Sequence, residues 1–143
     1  MELSFYGKDE RGLSEQEISS ALLEALRVRP CRKALLIPPD FTRLHSGAGF
    51  LTSFCYRALK SRGCEVDVLP ALGTHGPMTR EQAAVMFEGV PFEALLCHDW
   101  RKDVVRLGEV PASYLEEITE GLWHDPIDVE INRRVMDESY DLI

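Results

Sequence analysis

Apolar positions along this chain alternate between helical spacing and short continuous runs. Ser14 and Glu17 form a capping box, and Ile18, Ala21, Leu22, Ala25 and Leu26 then recur on one face until Pro30, which predicts a first amphipathic helix. The run KALLIP, Lys33 to Pro38, is apolar and closed by two prolines, as in a strand buried on both faces, and Asp40 to Ser46 forms its following loop. Helix signals resume at Gly49. Phe50, Leu51, Phe54, Cys55, Ala58 and Leu59 share one helical face, and Gly63 stops the segment. A second buried strand, CEVDVLPAL, begins at Cys64. Thr79 and Gln82 make another capping box, opening a helix through Phe87, and FEALLCHDW, Phe92 to Trp100, predicts a third strand.

Strands alternating with helices predict an α/β fold, with a mainly parallel, Rossmann-like sheet, helices on both faces and right-handed crossovers. Beyond Val104 the pattern weakens to a short strand, DVVRLGEV, a helix from Ser113 to Thr119, and a loop from Gly121 to Pro126 ahead of PIDVEINRRVM. No repeat, low-complexity stretch or linker divides residues 1–143, which read as a single α/β domain. The last residues, YDLI, begin another strand with nothing after it. Such a start leaves edge groups unpaired, so the expectation is an incomplete domain, the N-terminal fragment of a longer chain.

Composition narrows the partners. With 143 residues, 45% hydrophobic and 28% charged, the chain can bury one domain-sized core. Asp and Glu number 24 against 16 Lys and Arg, with no basic run, which argues against nucleic acid and anionic membrane as partners. Cys31, Cys55, Cys64 and Cys97 show no CxxC spacing and lie in or beside apolar runs, as reduced, packed thiols do; the same spacing argues against a zinc site. MELSFYGKDERG has no basic region followed by an apolar stretch, and no uncharged apolar segment reaches membrane-spanning length, so a cytoplasmic protein is expected.

Two loops carry candidate chemistry. In open parallel sheets ligands bind beyond the carboxyl ends of strands, where IPPDFTRLHSG offers Asp40, Thr42 and Arg43, and GTHGPMT offers Thr74, His75 and Thr79. Arg43 suits a carboxylate or phosphate through its planar fork; equally, it could salt-bridge Asp40. His75 stands between Gly73 and Gly76, which allow close backbone approach, and histidine as a residue type transfers protons near neutral pH. A loop histidine can also be a surface or capping residue. Asp40 could orient the site or close an Asx turn after Pro39. Thr79 reads as a helix N-cap. His45, His98 and His124 have no pair spacing or cysteine partner that would build a metal site.

Together, DFTR (Asp40 to Arg43) and GTHGPMT (Gly73 to Thr79), separated by a helix and a strand, resemble the N-terminal portion of the lactate racemase family, with weaker likeness from LSEQE to YDLI. That family uses a nickel pincer nucleotide cofactor and carries D-x-T-R-P and G-x-H-R-P-x-T loops at this separation. The resemblance implies that His75 is one of two catalytic histidines moving the hydroxyl proton of a 2-hydroxy acid, while Arg43 holds the substrate carboxylate. Asp40, Thr42 and Thr74 would orient the site or contact the cofactor. Hydride would pass to the cofactor, leaving a planar 2-keto acid. Gly76 and Leu44 stand where the family usually has arginine and proline, which bears on the substrate taken. The second catalytic histidine, the cofactor-bonding lysine and the nickel-ligating histidine lie, in the family, downstream of this sequence. Nickel and pincer nucleotide are therefore expected in a full-length parent, and no metal or cofactor in residues 1–143 alone. The alternative is a non-catalytic carboxylate- or phosphate-binding α/β module; a hydrolase using Asp40 and His75 lacks a nucleophile elbow or metal cluster.

Overall fold

Helix α1 (Glu15–Arg27) starts at the predicted capping box: the Ser14 hydroxyl accepts from the Glu17 amide, and the Glu17 carboxylate accepts from the Ser14 amide. The computed structural model describes residues 4–7, 9–28 and 30–143, so Met1 to Leu3 and Lys8 of the stretch read for a leader lie outside the described residues. Leu26, near the end of α1, packs against the main core.

Strands β1 (Lys33–Leu36) and β2 (Glu65–Val68) pair in parallel, with Ala34 opposite Val66 and Leu36 opposite Val68. Helix α2 (Ala48–Lys60) connects them, and α3 (Arg80–Met86) follows from the Thr79–Gln82 capping box. Ala34 and Leu35 of β1 are adjacent and both buried, one on each face, whereas β2 alternates, with Val66 and Val68 buried and Glu65 exposed. Ala34, Val66 and Val68 join Tyr56, Leu59 and Phe87 in the main core, while Leu35 turns the other way, into a smaller cluster with Leu69 and Tyr140. Leu35, Leu59 and Phe87 are fully buried. Each such side chain contributes about 1.5–3 kcal/mol relative to exposure. Gly49 sets the distance between α2 and the end of α3. A Cβ there would lie 2.1 Å from the Met86 carbonyl oxygen, so the two backbones approach as only glycine permits.

The sheet is smaller than the one predicted from the apolar runs. FEALLCHDW is not a strand: Phe92–Ala94 form a 3-10 turn, and pairing is limited to a parallel bridge between Leu95 and Val68, with the Leu96 amide donating to the Val68 carbonyl at 2.7 Å. Pro91 starts that turn, and Phe92, Ala94 and Leu95, all partly buried, pack against the main core. On the outer side of β1, YDLI makes a single parallel bridge, Leu142 to Ala34. The Leu35 amide donates to the Leu142 carbonyl, the Asp141 amide to the Lys33 carbonyl, and the Tyr140 hydroxyl to Asp67 at 2.7 Å. The order across the sheet is thus residue 142, β1, β2, residue 95, all parallel.

A separate antiparallel pair, β3 (Val104–Val110) and β4 (Ile127–Asn132), encloses helix α4 (Ala112–Ile118) in its connection. Its cross-strand pairs sort by face. Val105–Ile131, Gly108–Val129 and Val110–Ile127 make one side apolar, whereas Arg106–Glu130 and Glu109–Asp128 make the other charged. A bulge between Arg106 and Gly108 keeps that sorting across the pair, and Ile127 and Val129 remain partly exposed. The protein is therefore mixed α/β, with a short parallel ladder and an antiparallel pair. Among the described residues no helix is long and apolar enough to cross a membrane.

Candidate functional site at the carboxyl edge of the parallel ladder

The two chemistry-bearing loops leave the ladder side by side. Beyond β1 and β2, Pro39 and Ala71 form one further parallel bridge, and the Ala71 amide donates to the Pro38 carbonyl at 2.8 Å. The next residue after Pro39 is Asp40, which caps the 3-10 turn Phe41–Ser46. Its Oδ1 accepts the Thr42 amide at 3.1 Å and the Thr42 hydroxyl at 2.5 Å. On the neighbouring loop, Gly73 takes a left-handed φ of 57°, and the His75 amide donates to the Leu72 carbonyl at 2.9 Å. This tight turn aims the imidazole back at the first loop. His75 Nδ1 lies 2.6 Å from Asp40 Oδ2.

Asp40 is 6% exposed and the His75 side chain 58%. A buried carboxylate would ordinarily resist ionisation. Here hydrogen bonds from the Thr42 hydroxyl and then from His75 outweigh burial and hold the Asp40 carboxyl below its usual range. An ionised carboxylate only accepts hydrogen bonds, so the proton of a neutral His75 sits on Nδ1, which donates to Asp40. Nε2 has no hydrogen-bond partner among the described residues. The pair is thus a carboxylate-oriented imidazole whose second nitrogen is available for proton exchange.

Asp40 closes the Asx-type turn with one oxygen and contacts His75 with the other. Of the two readings of Arg43, the salt bridge to Asp40 does not form. The Arg43 amide donates to the Asp40 carbonyl at 3.0 Å, while its guanidinium is exposed and makes no ion pair among the described residues. Thr42 acts through Asp40, and Thr74 is exposed on the Gly73 turn without a side-chain hydrogen bond among the described residues. The Thr79 hydroxyl accepts the Gln82 amide, as its capping position predicts. His98 Nδ1 lies 2.8 Å from the Asn132 amide nitrogen, and His124 Nδ1 lies 3.3 Å from a Glu116 oxygen, so both have local partners. Among the described residues no group of three or more His, Cys, Asp and Glu could hold a metal ion.

A cavity of about 520 Å³ opens beside this edge, between Leu69, Leu96, Cys97, Asn132 and Arg134. A smaller apolar one of about 130 Å³ lies between Pro70, Met78, Phe92 and Leu96. Neither is lined by Asp40, Arg43 or His75. The direct Asp40–His75 contact was not legible from either loop alone. Its signal was the placement of both loops after consecutive buried strands, which in a parallel pair must emerge at one edge.

No protein-family model matches the chain, and no curated protein matches it. Among solved structures it is similar to a crystal structure of a protein from Thermotoga maritima, with a TM-score of 0.79 at 24% sequence identity. The match takes in 97% of this chain and 34% of that one, so the chain spans about a third of its structural neighbour's length. The likeness is one of fold.

Proposed function

We propose that this chain is the N-terminal catalytic-domain portion of a 2-hydroxy-acid racemase or epimerase of the nickel-pincer-dependent kind, with its short parallel ladder forming the centre of a Rossmann-like sheet. The observation that carries the reading is the 2.6 Å contact between Asp40 Oδ2 and His75 Nδ1, because it makes one site of the two loops that resemble the lactate racemase family. Arg43, three positions from Asp40 and without an ion-pair partner among the described residues, supplies the fork for the substrate carboxylate. His75 Nε2 takes the proton from the 2-hydroxyl and returns it. Asp40 stabilises the imidazolium that forms, and Thr42 keeps Asp40 in place. Inversion at the hydroxyl-bearing carbon would further require a hydride acceptor, which the pincer group in the longer protein would supply.

The described residues do not by themselves fit the nickel pincer group. The described residues offer no metal-holding cluster, and His75 Nδ1 is committed to Asp40. The hydride transfer therefore belongs to the longer protein. Two observations support a longer protein: the chain spans a third of its structural neighbour, and apolar side chains of β4 remain partly exposed.

The test is His75→Ala in the longer protein, with conversion of one enantiomer of a 2-hydroxy acid followed by chiral chromatography. Turnover should fall on the order of 10²- to 10⁴-fold, the range of a lost general acid/base. Unchanged racemisation would remove His75 from the mechanism. The guanidinium of Arg43, exposed and without an ion-pair partner among the described residues, favours, as a second reading, an anion-binding module without chemistry. Calorimetric binding of lactate, glycerate or phosphate that is lost in Arg43→Ala, alongside no racemisation by the longer protein, selects that reading.

A further inference from the structure

The candidate site uses the carboxyl ends of β1 and β2; a second arrangement occupies their amino ends. Cys31 sits two positions ahead of β1 and Cys64 one position ahead of β2. Backbone pairing begins beside them, with the Glu65 amide donating to the Arg32 carbonyl at 2.7 Å. The two Sγ atoms lie 2.8 Å apart. Cys64 is 1% exposed and belongs to the main core, whereas Cys31 is partly exposed at its margin. Cys55 and Cys97 have no cysteine neighbour of this kind among the described residues.

A bonded S–S distance is about 2.05 Å, so these thiols need to close by less than about 1 Å to join. The paired strands have already met most of the entropy cost of bringing them together. We propose that Cys31 and Cys64 form an oxidisable dithiol, a modification site that reacts with small disulfides such as oxidised glutathione and closes to an intramolecular disulfide. The Cys31 thiolate attacks one glutathione sulfur, the glutathione disulfide breaks, and one glutathione thiolate leaves. Cys64 then loses its proton to solvent and attacks Cys31 Sγ, expelling the second glutathione. Two protein thiols are oxidised and one glutathione disulfide is reduced to two thiols.

The order follows from access. Cys31 can be reached from solvent. Burial, and secondarily the hydrogen bond with Cys31, push the Cys64 thiol up to about 12, which makes it a poor first nucleophile. The bridge would fasten β1 to β2 at the end remote from Asp40 and His75, leaving the proton-transfer pair untouched.

The test exposes the folded 143-residue chain at pH 8 to excess oxidised glutathione, quenches with iodoacetamide, and maps tryptic peptides by mass. Wild type should yield the peptide 28–32 joined to 63–80, about 2 Da lighter than the two reduced peptides, with Cys55 and Cys97 outside the link. The link should form at least about tenfold faster in the folded protein than in denaturant. Cys64→Ala should stop at a glutathione adduct on Cys31, and Cys31→Ser should leave residue 64 free of glutathione. Equal or faster linkage in denaturant would overturn the proposal, as would wild type that keeps glutathione on Cys31 while Cys64 is alkylated.

Discussion

Replacing Asp40 with asparagine tests the site without any substrate. The carboxylate can serve the Thr42 donors on Oδ1 and His75 Nδ1–H on Oδ2, because both oxygens accept. A carboxamide has one oxygen. With that oxygen kept at the Thr42 amide, the –NH₂ faces His75, where it can only donate, and Nδ1 must give up its proton. The bias at stake is that of a hydrogen bond to a charged group, about 1.5–3 kcal/mol. With the His75 side chain 58% exposed, the lower end applies, so wild type should hold Nδ1–H over Nε2–H by roughly tenfold. In Asp40→Asn the preference should invert. The assay is a long-range proton–nitrogen correlation spectrum of protein labelled with ¹⁵N-histidine, recorded near pH 9, where histidine side chains are generally neutral. In wild type the protonated nitrogen should be Nδ1, and in the variant Nε2. The same tautomer in both proteins, or Nε2–H in wild type, would refute the reasoning. An Nε2 already carrying hydrogen cannot take a hydroxyl proton, so the longer protein bearing this change should lose on the order of 10²- to 10⁴-fold in rate.

Other consequences of the packing can be measured on the isolated chain. Gly49→Ala places a Cβ 2.1 Å from the Met86 carbonyl oxygen, forcing α2 and α3 apart; denaturant titration should show a loss of about 1–3 kcal/mol, and an unshifted midpoint would contradict the close approach. Tyr140→Phe leaves Asp67 without its hydroxyl donor, and should cost about 1–2 kcal/mol near neutral pH. Burial, then the hydrogen bond to Asp67, raises the Tyr140 hydroxyl from its ordinary 10 to about 12. That contribution is fully present below pH 10 and is lost as pH rises toward 12, so the stability gap between wild type and Tyr140→Phe should stay level up to pH 10 and then close. A gap that widens above pH 10 would reverse the assignment.

The capping boxes at Ser14 and Thr79, the buried runs at Lys33 and Cys64, and the helices after them were legible because each is specified within a few residues. FEALLCHDW misled because a short apolar run bounded by Pro91 serves a half-buried 3-10 turn as well as a strand, and periodicity cannot separate the two. The antiparallel pairing of β3 with β4 was hidden for another reason. Their register depends on cross-strand partners such as Val110 and Ile127, which no local pattern pairs. At the site, residue types were readable, while the division of Asp40 between two loops was not, since it depends on the Gly73 turn swinging His75 inward. Cys31 and Cys64 were read as packed thiols; that they pack on one another follows only from strand register.

The bridge that seats residue 142 against β1 has a consequence for how the molecule is assembled over time. Asp141 receives the Arg32 and Lys33 amides across a separation of more than a hundred residues, and Leu35 reaches Leu142 in the same way. During synthesis the outer flank of β1 emerges early and stays bare until Asp141 and Leu142 arrive. Contacts so distant along the chain form slowly, because a long loop must close before any of them is made. The nascent polypeptide consequently carries an open flank while more than a hundred intervening residues are made, and completion of this sheet waits on Asp141 and Leu142.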